Sequence, residues 1–179
     1  MFRNKQFNSI MTDQNEDLGT IEKEKNQYHA RLERTLNHPP SAVWSMLTEP
    51  DKLVEWLAPG HIELFEGGQA NLNFVDSGIV IASSVTLFDP PRCIEYSWSG
   101  PDEPLRPLRF EVEPTNDGCT LTMSLSTPVD EDIARSCAGF EAHLLMLLAA
   151  LEAALEVGDR HPVLLRDILR PTLSISKSI

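Results

Sequence analysis

The stretch LRFEVEPTNDGCTLTMSL, residues 108–125, decides the fold class. Leu108, Phe110 and Val112 alternate with charged residues, and Cys119, Leu121, Met123 and Leu125 alternate with Thr and Ser. Side chains that recur at every second position share one face of a strand. Between the two runs, Asn116-Asp117-Gly118 is a hairpin turn signal. The stretch therefore reads as a β-hairpin with one apolar face, and such a face needs a cover.

The cover follows directly. From about residue 130 to 157, Ile133, Cys137, Phe140, Leu144, Leu147, Leu148, Leu151 and Leu155 recur at helical spacing and form a broad apolar stripe. Asp130-Glu131-Asp132 suits a helix start and Gly158 a helix stop. Residues 160–170 read as a separate short basic amphipathic helix, followed by a frayed Ser-rich end.

Towards the N-terminus, short alternating segments are divided by turn signals. Ile94, Tyr96 and Trp98 precede Ser99-Gly100-Pro101; Ala70, Leu72 and Phe74 precede Asp76-Ser77-Gly78; Ile62 and Leu64 precede Gly67-Gly68. The run 79–88 is nearly all apolar or small and ends at Asp89-Pro90-Pro91. This is the signature of an antiparallel meander. Upstream, Pro40 opens a short helix carrying Val43, Trp44, Met46 and Leu47, and a second covers 50–57 with Leu53, Trp56 and Leu57 on one side. Tyr28, Ala30 and Leu32 alternate with His29, Arg31 and Glu33 in a first strand. Residues 1–26 lack a sustained apolar period and read as a mobile leader, with a short helix as one option at 20–26 and Met11 as a second candidate start. The expected organisation is a leader (1–26), one α+β domain (27–158) and a C-terminal extension (159–179).

Composition narrows the function classes. The chain has 179 residues, with 27 Asp and Glu against 15 Lys and Arg, for a net charge of −12. That balance argues against a nucleic-acid partner, because phosphate contacts need clustered cations. No uninterrupted apolar run approaches the ~18 residues of a membrane span, and the N-terminus lacks the apolar stretch of a signal peptide, so the expectation is a cytoplasmic protein without a membrane span. Cys93, Cys119 and Cys137 have no CxxC spacing, so neither a disulfide framework nor a metal site is expected, and no cofactor is implied.

One strand, two short helices, a run of strands and a long final helix form a helix-grip arrangement, a curved antiparallel sheet of about six or seven strands wrapped around the last helix. Residues 28–155 resemble the START-like, or SRPBCC, superfamily, and within it the bacterial homologues of the activator of the Hsp chaperone ATPase. The resemblance rests on Pro40-x-x-Val43-Trp44, Trp56-Leu57-Ala58-Pro59, Gly67-Gly68, Asp89-Pro90-Pro91-Arg92, Tyr96-Ser97-Trp98, Gly118-Cys119 and Gly139-Phe140-x-x-x-Leu144. Against the family pattern, Phe140 replaces Trp, Leu57 replaces an aromatic, and Leu125 stands where many relatives carry a cavity-facing His. Each exchange makes the site less polar.

The fold that the resemblance implies leaves a cavity between sheet and helix. By pattern its lining includes Leu72, Phe74, Tyr96, Trp98, Phe110, Met123 and Leu125 from strands, Phe140, Leu144, Leu147 and Leu148 from the helix, and Trp56 at one end. Taken singly, each of these residues is better explained by core packing than by ligand contact, although the fold as a whole favours some cavity. His143, three residues after Phe140, borders the apolar stripe; with Tyr96 it is a candidate for moving a proton. Arg106 and Arg109 are expected to pair with neighbouring carboxylates. Three functions follow. The first is binding of an apolar small molecule, lipid-like or an aromatic metabolite. The second is a cyclase or hydratase using the same cavity. The third is a co-chaperone-like interaction module, with a second copy of the chain, as a homodimer, or a chaperone as partner.

Overall fold

The computed structural model describes residues 19–168, with side chains as far as Leu155. The elements run β1 (Thr20–Glu24), β2 (Gln27–Leu36), α1 (Pro40–Thr48), α2 (Pro50–Trp56), β3 (Gly60–Ile62), β4 (Gln69–Phe74), β5 (Ile79–Asp89), β6 (Cys93–Ser97), β7 (Pro107–Pro114), β8 (Cys119–Pro128) and α3 (Ile133–Ile168). The strands form one antiparallel sheet in the order β1-β2-β8-β7-β6-β5-β4-β3. This is the helix-grip architecture expected from the sequence.

The 108–125 hairpin pairs as its alternation requires. Leu108 stands opposite Leu125, Phe110 opposite Met123 and Val112 opposite Leu121, all inward and buried. The row continues through the sheet: Leu125 opposes Ala30 on β2, Leu108 opposes Tyr96 on β6, and Tyr96 opposes Val85 on β5. Gly118 at the turn is required by space, since a Cβ there would lie 2.0 Å from the Leu36 carbonyl oxygen.

Three stretches differ from the sequence reading. Residues 20–24, assigned to the leader with a helix as an option, form strand β1 instead, paired with β2 from Thr20 opposite Arg31 to Glu24 opposite Gln27. All five of its residues are exposed, so no apolar period marks it. The remainder of the leader, residues 1–18, lies outside the described residues. The long helix starts at Ile133, after Asp132, whose carboxylate accepts a hydrogen bond from the Arg135 amide at 3.1 Å. It then continues through Gly158 to Ile168, so that glycine is no stop and no separate helix begins near residue 160. A single glycine costs a helix only about 1 kcal/mol. The frayed end expected after residue 170 lies outside the described residues. Third, β5 carries an irregularity between Val85 and Leu87: Val85 opposes Tyr96 but Leu87 opposes Glu95, leaving Thr86 as an extra residue. The bulge shifts the inward phase, and Phe88 meets the ring of Trp44 at 6.1 Å.

Helix α3 buries Ile133, Cys137, Phe140, Leu144, Leu147 and Leu151. Each large side chain removed from water in this way contributes roughly 1.5–3 kcal/mol. Polar ties fix its position along the groove. Glu141 pairs with Arg34, a buried guanidinium on the inner face of β2. Glu152 meets His38 Nε2 at 3.0 Å, and His143 reaches the end of α2. Between Ile133 and Leu155 this helix is long and apolar enough to cross a bilayer by length and composition, which the sequence reading, based on uninterrupted runs, did not anticipate. Its inward stripe belongs to the core just described.

Candidate functional site

The second short helix places Trp56. Pro50 opens α2 and Trp56 ends it fully buried, where its indole N–H donates to the Met46 carbonyl at 2.7 Å and its ring meets Phe110 edge-on at 5.9 Å. The Trp56 carbonyl in turn accepts from His143 on α3 at 2.8 Å. A carbonyl can only accept, so Nδ1 of His143 carries the proton, and in the neutral ring Nε2 is the acceptor. Apart from this bond, His143 makes ring contacts alone among the described residues, at 5.9 Å from Phe74 and 6.3 Å from Phe140.

Around that histidine the aromatic side chains form a chain of contacts. Phe140 lies 5.0 Å from Trp98, and Trp98 meets Phe74 nearly perpendicular at 5.6 Å. These rings wall a cleft of about 390 Å³, open to solvent, between the β4–β5 hairpin and the first turns of α3. Phe74, Ser77, Ile79 and Trp98 supply the sheet side; Arg135, Ser136, Gly139, Phe140 and His143 supply the helix side. A neighbouring hollow of about 340 Å³ shares Phe74 and Ser77 and extends along Leu57, Ala58 and Pro59.

The structure thus brings Phe74, Trp98, Phe140 and His143 together. It places Trp56, Leu72, Tyr96, Phe110, Met123, Leu125, Leu144 and Leu147 in the buried core behind them, with Leu148 partly buried at its margin. Ser77, Ile79, Arg135, Ser136 and Gly139 were not anticipated. The helix gave one usable signal, since Arg135, Gly139 and His143 stand at successive fourth positions and share a side of α3. Ser77 and Ile79 lie at a hairpin end, where alternation says nothing of what the turn faces.

Polar groups in the core bear on chemistry. Tyr96 is 1% exposed. Burial pushes its phenol above the ordinary range, so it remains a protonated donor and is no base at neutral pH. The Thr127 hydroxyl, on the same inner face and one row further along β8, is buried and has no hydrogen-bond partner among the described residues. Arg106 pairs with Glu131 and Glu103, and Arg109 with Glu95, at 2.7–2.8 Å; neither lines the cleft. The thiols of Cys93, Cys119 and Cys137 are free and buried, and desolvation raises all three above the usual thiol range, which removes thiolate character. No group of three or more His, Cys, Asp or Glu suited to a metal occurs among the described residues.

Comparison with known proteins agrees with this architecture. A family model described as Activator of Hsp90 ATPase homolog 1-like protein matches residues 37–156. Among solved structures, the chain is similar to MLL2253 from Mesorhizobium loti, with 26% identity and a TM-score of 0.63 over 70% of this chain and 97% of that one. It is similar in fold to CalU16 from Micromonospora echinospora, at 20% identity and TM-score 0.61 over 73% and 80% of the two chains. DynU16, from the dynemicin biosynthetic locus, gives 23% identity and TM-score 0.63 over 70% and 48%. No functionally curated protein matches the sequence.

Proposed function

Because this chain belongs to the family of Activator of Hsp90 ATPase homolog 1-like proteins, within the SRPBCC superfamily, we propose that it binds an apolar small molecule, lipid-like or aromatic, between sheet and helix. The supporting observation is the wall of three contacting rings, Phe74, Trp98 and Phe140, on an open cleft of about 390 Å³. That volume lies in the range of small-molecule sites, which combine apolar walls with a few polar groups. Here the polar groups are His143 Nε2 and the Arg135 guanidinium at the rim. The core residues behind the rings, from Trp56 and Leu72 to Leu144 and Leu147, set how deeply an apolar body can enter, with the buried, protonated Tyr96 hydroxyl among them. The three buried free thiols suit a reducing compartment, and we place the protein in the cytoplasm.

The test is native mass spectrometry of freshly purified protein, with solvent extraction of whatever it carries. It is paired with titration of the emptied protein by anilinonaphthalene sulfonate. A bound species of defined mass, or saturable dye binding that weakens about tenfold or more in Trp98→Ala and Phe140→Ala, is the expected result. Dye binding unchanged in both variants, with circular dichroism showing them folded, overturns the reading.

A second reading, a cyclase or hydratase, rests on His143. Its Nδ1–H is committed to the Trp56 carbonyl, which orients the ring and leaves Nε2 as the basic atom. Once a ligand is identified, loss of turnover in His143→Ala with binding retained supports this reading. Turnover unchanged in that variant removes it.

A further inference from the structure

We propose that the outer face of α3 is the interface of a homodimer in which two α3 helices pack antiparallel about a two-fold axis between residues 143 and 144. The face opposite the buried stripe carries Arg135, Ala138, Ala142, Leu145, Ala149 and Glu152. Leu145 is 62% exposed, and Met146 beside it 48%. From Ala138 to Ala149 every exposed residue of the helix is apolar or glycine, although the chain as a whole carries a net charge of −12. A soluble helix normally turns its charged side outward, so this face reads as one that is covered.

The pattern on the face selects its occupant, because it is complementary to its own reverse. In an antiparallel pair centred between residues 143 and 144, Ala142 of one chain faces Leu145 of the other. Ala138 faces Ala149, so that small side chains let the helices approach closely opposite each large one. One further turn out, Arg135 faces Glu152. The two-fold axis repeats each contact, as isologous packing requires, and closes both ends of the seam with a cation against an anion. Arg135 has no side-chain partner among the described residues. Glu152 is 70% exposed at its side chain and keeps an oxygen for a second contact beside its bond to His38. The two residues cannot meet within one chain, since 17 residues of helix separate them by roughly 25 Å. The partner helix runs along the rim of the cleft at Arg135 and Gly139, which places the two clefts of a dimer beside its seam.

Sedimentation velocity of the full chain tests this independently of any ligand. The expected result is a concentration-dependent dimer that Leu145→Glu converts to a monomer with an unchanged circular dichroism spectrum. Arg135→Glu and Glu152→Arg, each of which sets like charges together at both ends of the seam, should each weaken dimerisation about tenfold. The double variant Arg135→Glu/Glu152→Arg should restore it to within a few-fold of wild type, which happens only if these two residues meet across the axis. A wild-type monomer overturns the proposal, including one in which residues 1–18 of the same chain cover the face. A dimer that survives Leu145→Glu, or one that the double charge exchange fails to restore, also overturns it.

Discussion

The two ends of the gripped interior are built on the same sheet face by the same alternation, yet one is sealed and the other open. Around β2, β8 and β7, the residues Leu32, Met123, Phe110 and Val112 are covered by α1, α2 and the middle of α3, and each is at most 3% exposed. Around β4 and β5, Phe74 and Trp98 face the first turns of α3, which present Arg135, Ser136 and Gly139 beside Phe140 and His143. The sheet side of the open end still presents large apolar side chains, Phe74, Ile79 and Trp98, with Ser77 among them. The cover differs: beside Phe140, the residues of α3 over the cleft are Arg135, Ser136, Gly139 and His143 rather than large aliphatics. A cleft can therefore arise from what a helix places over a sheet, with the alternation of the strands unchanged.

This contrast can be broken at either end. Phe110→Ala at the sealed end removes a ring that Trp56 packs against edge-on. It should cost about 3–5 kcal/mol, read from urea unfolding. Trp98→Ala at the open end should cost less, about 2 kcal/mol, because the ring is only partly buried, while its effect on dye binding is large. Equal stability losses would mean that the two ends are packed alike. Thr127→Val replaces a buried, unpartnered hydroxyl by a methyl group of similar shape and should raise stability by about 1 kcal/mol in the same assay. A loss in its place would show that the hydroxyl has a partner in solution.

The smallest effect is electrostatic. The Gly100 amide and then the Arg106 guanidinium hold the Glu103 carboxyl below the ordinary value of 4.5. A carboxylate depressed in this way contributes stability above the ordinary value and loses it as the pH falls through the folded value. Glu103 is largely exposed, so the contribution is slight. The difference in melting temperature between wild type and Glu103→Gln should be greatest near neutrality and close in acid; a difference that widens in acid would contradict this account.

What could be read from the sequence follows from how each element is buried. Strands with one wet and one dry face, such as β7 and β8, declared themselves, and so did the inward set from Leu72 to Leu125. Strand β1 did not, because with both faces exposed it has no period to read. The run 79–88 gave no clean alternation because the extra residue Thr86 shifts the inward phase from Val85 to Phe88. Helix α3 was legible in its buried stripe and misread at its end, where Gly158 is a weaker signal than a continuous backbone. At the site, the aromatic residues could be named from pattern. Their partition into a cleft wall and a packed floor could not, since that depends on which turn of α3 lies above each one. Arg34 is a further case: the first strand showed its inward side as far as Leu32, and nothing local marks the next inward residue as a buried cation awaiting Glu141 from the far end of the chain.

The edges of the sheet have a consequence for how the protein meets its own copies. At one edge β1 reads Thr-Ile-Glu-Lys-Glu, with charge of both signs along its length; at the other, β3 is 3 residues long. Alternating charge and brevity are the ways a sheet avoids recruiting another strand. Strand addition, the commonest accident of antiparallel sheets, is thereby discouraged at both margins, and the route left open for self-association runs through side chains on a helix, where specificity can be written residue by residue.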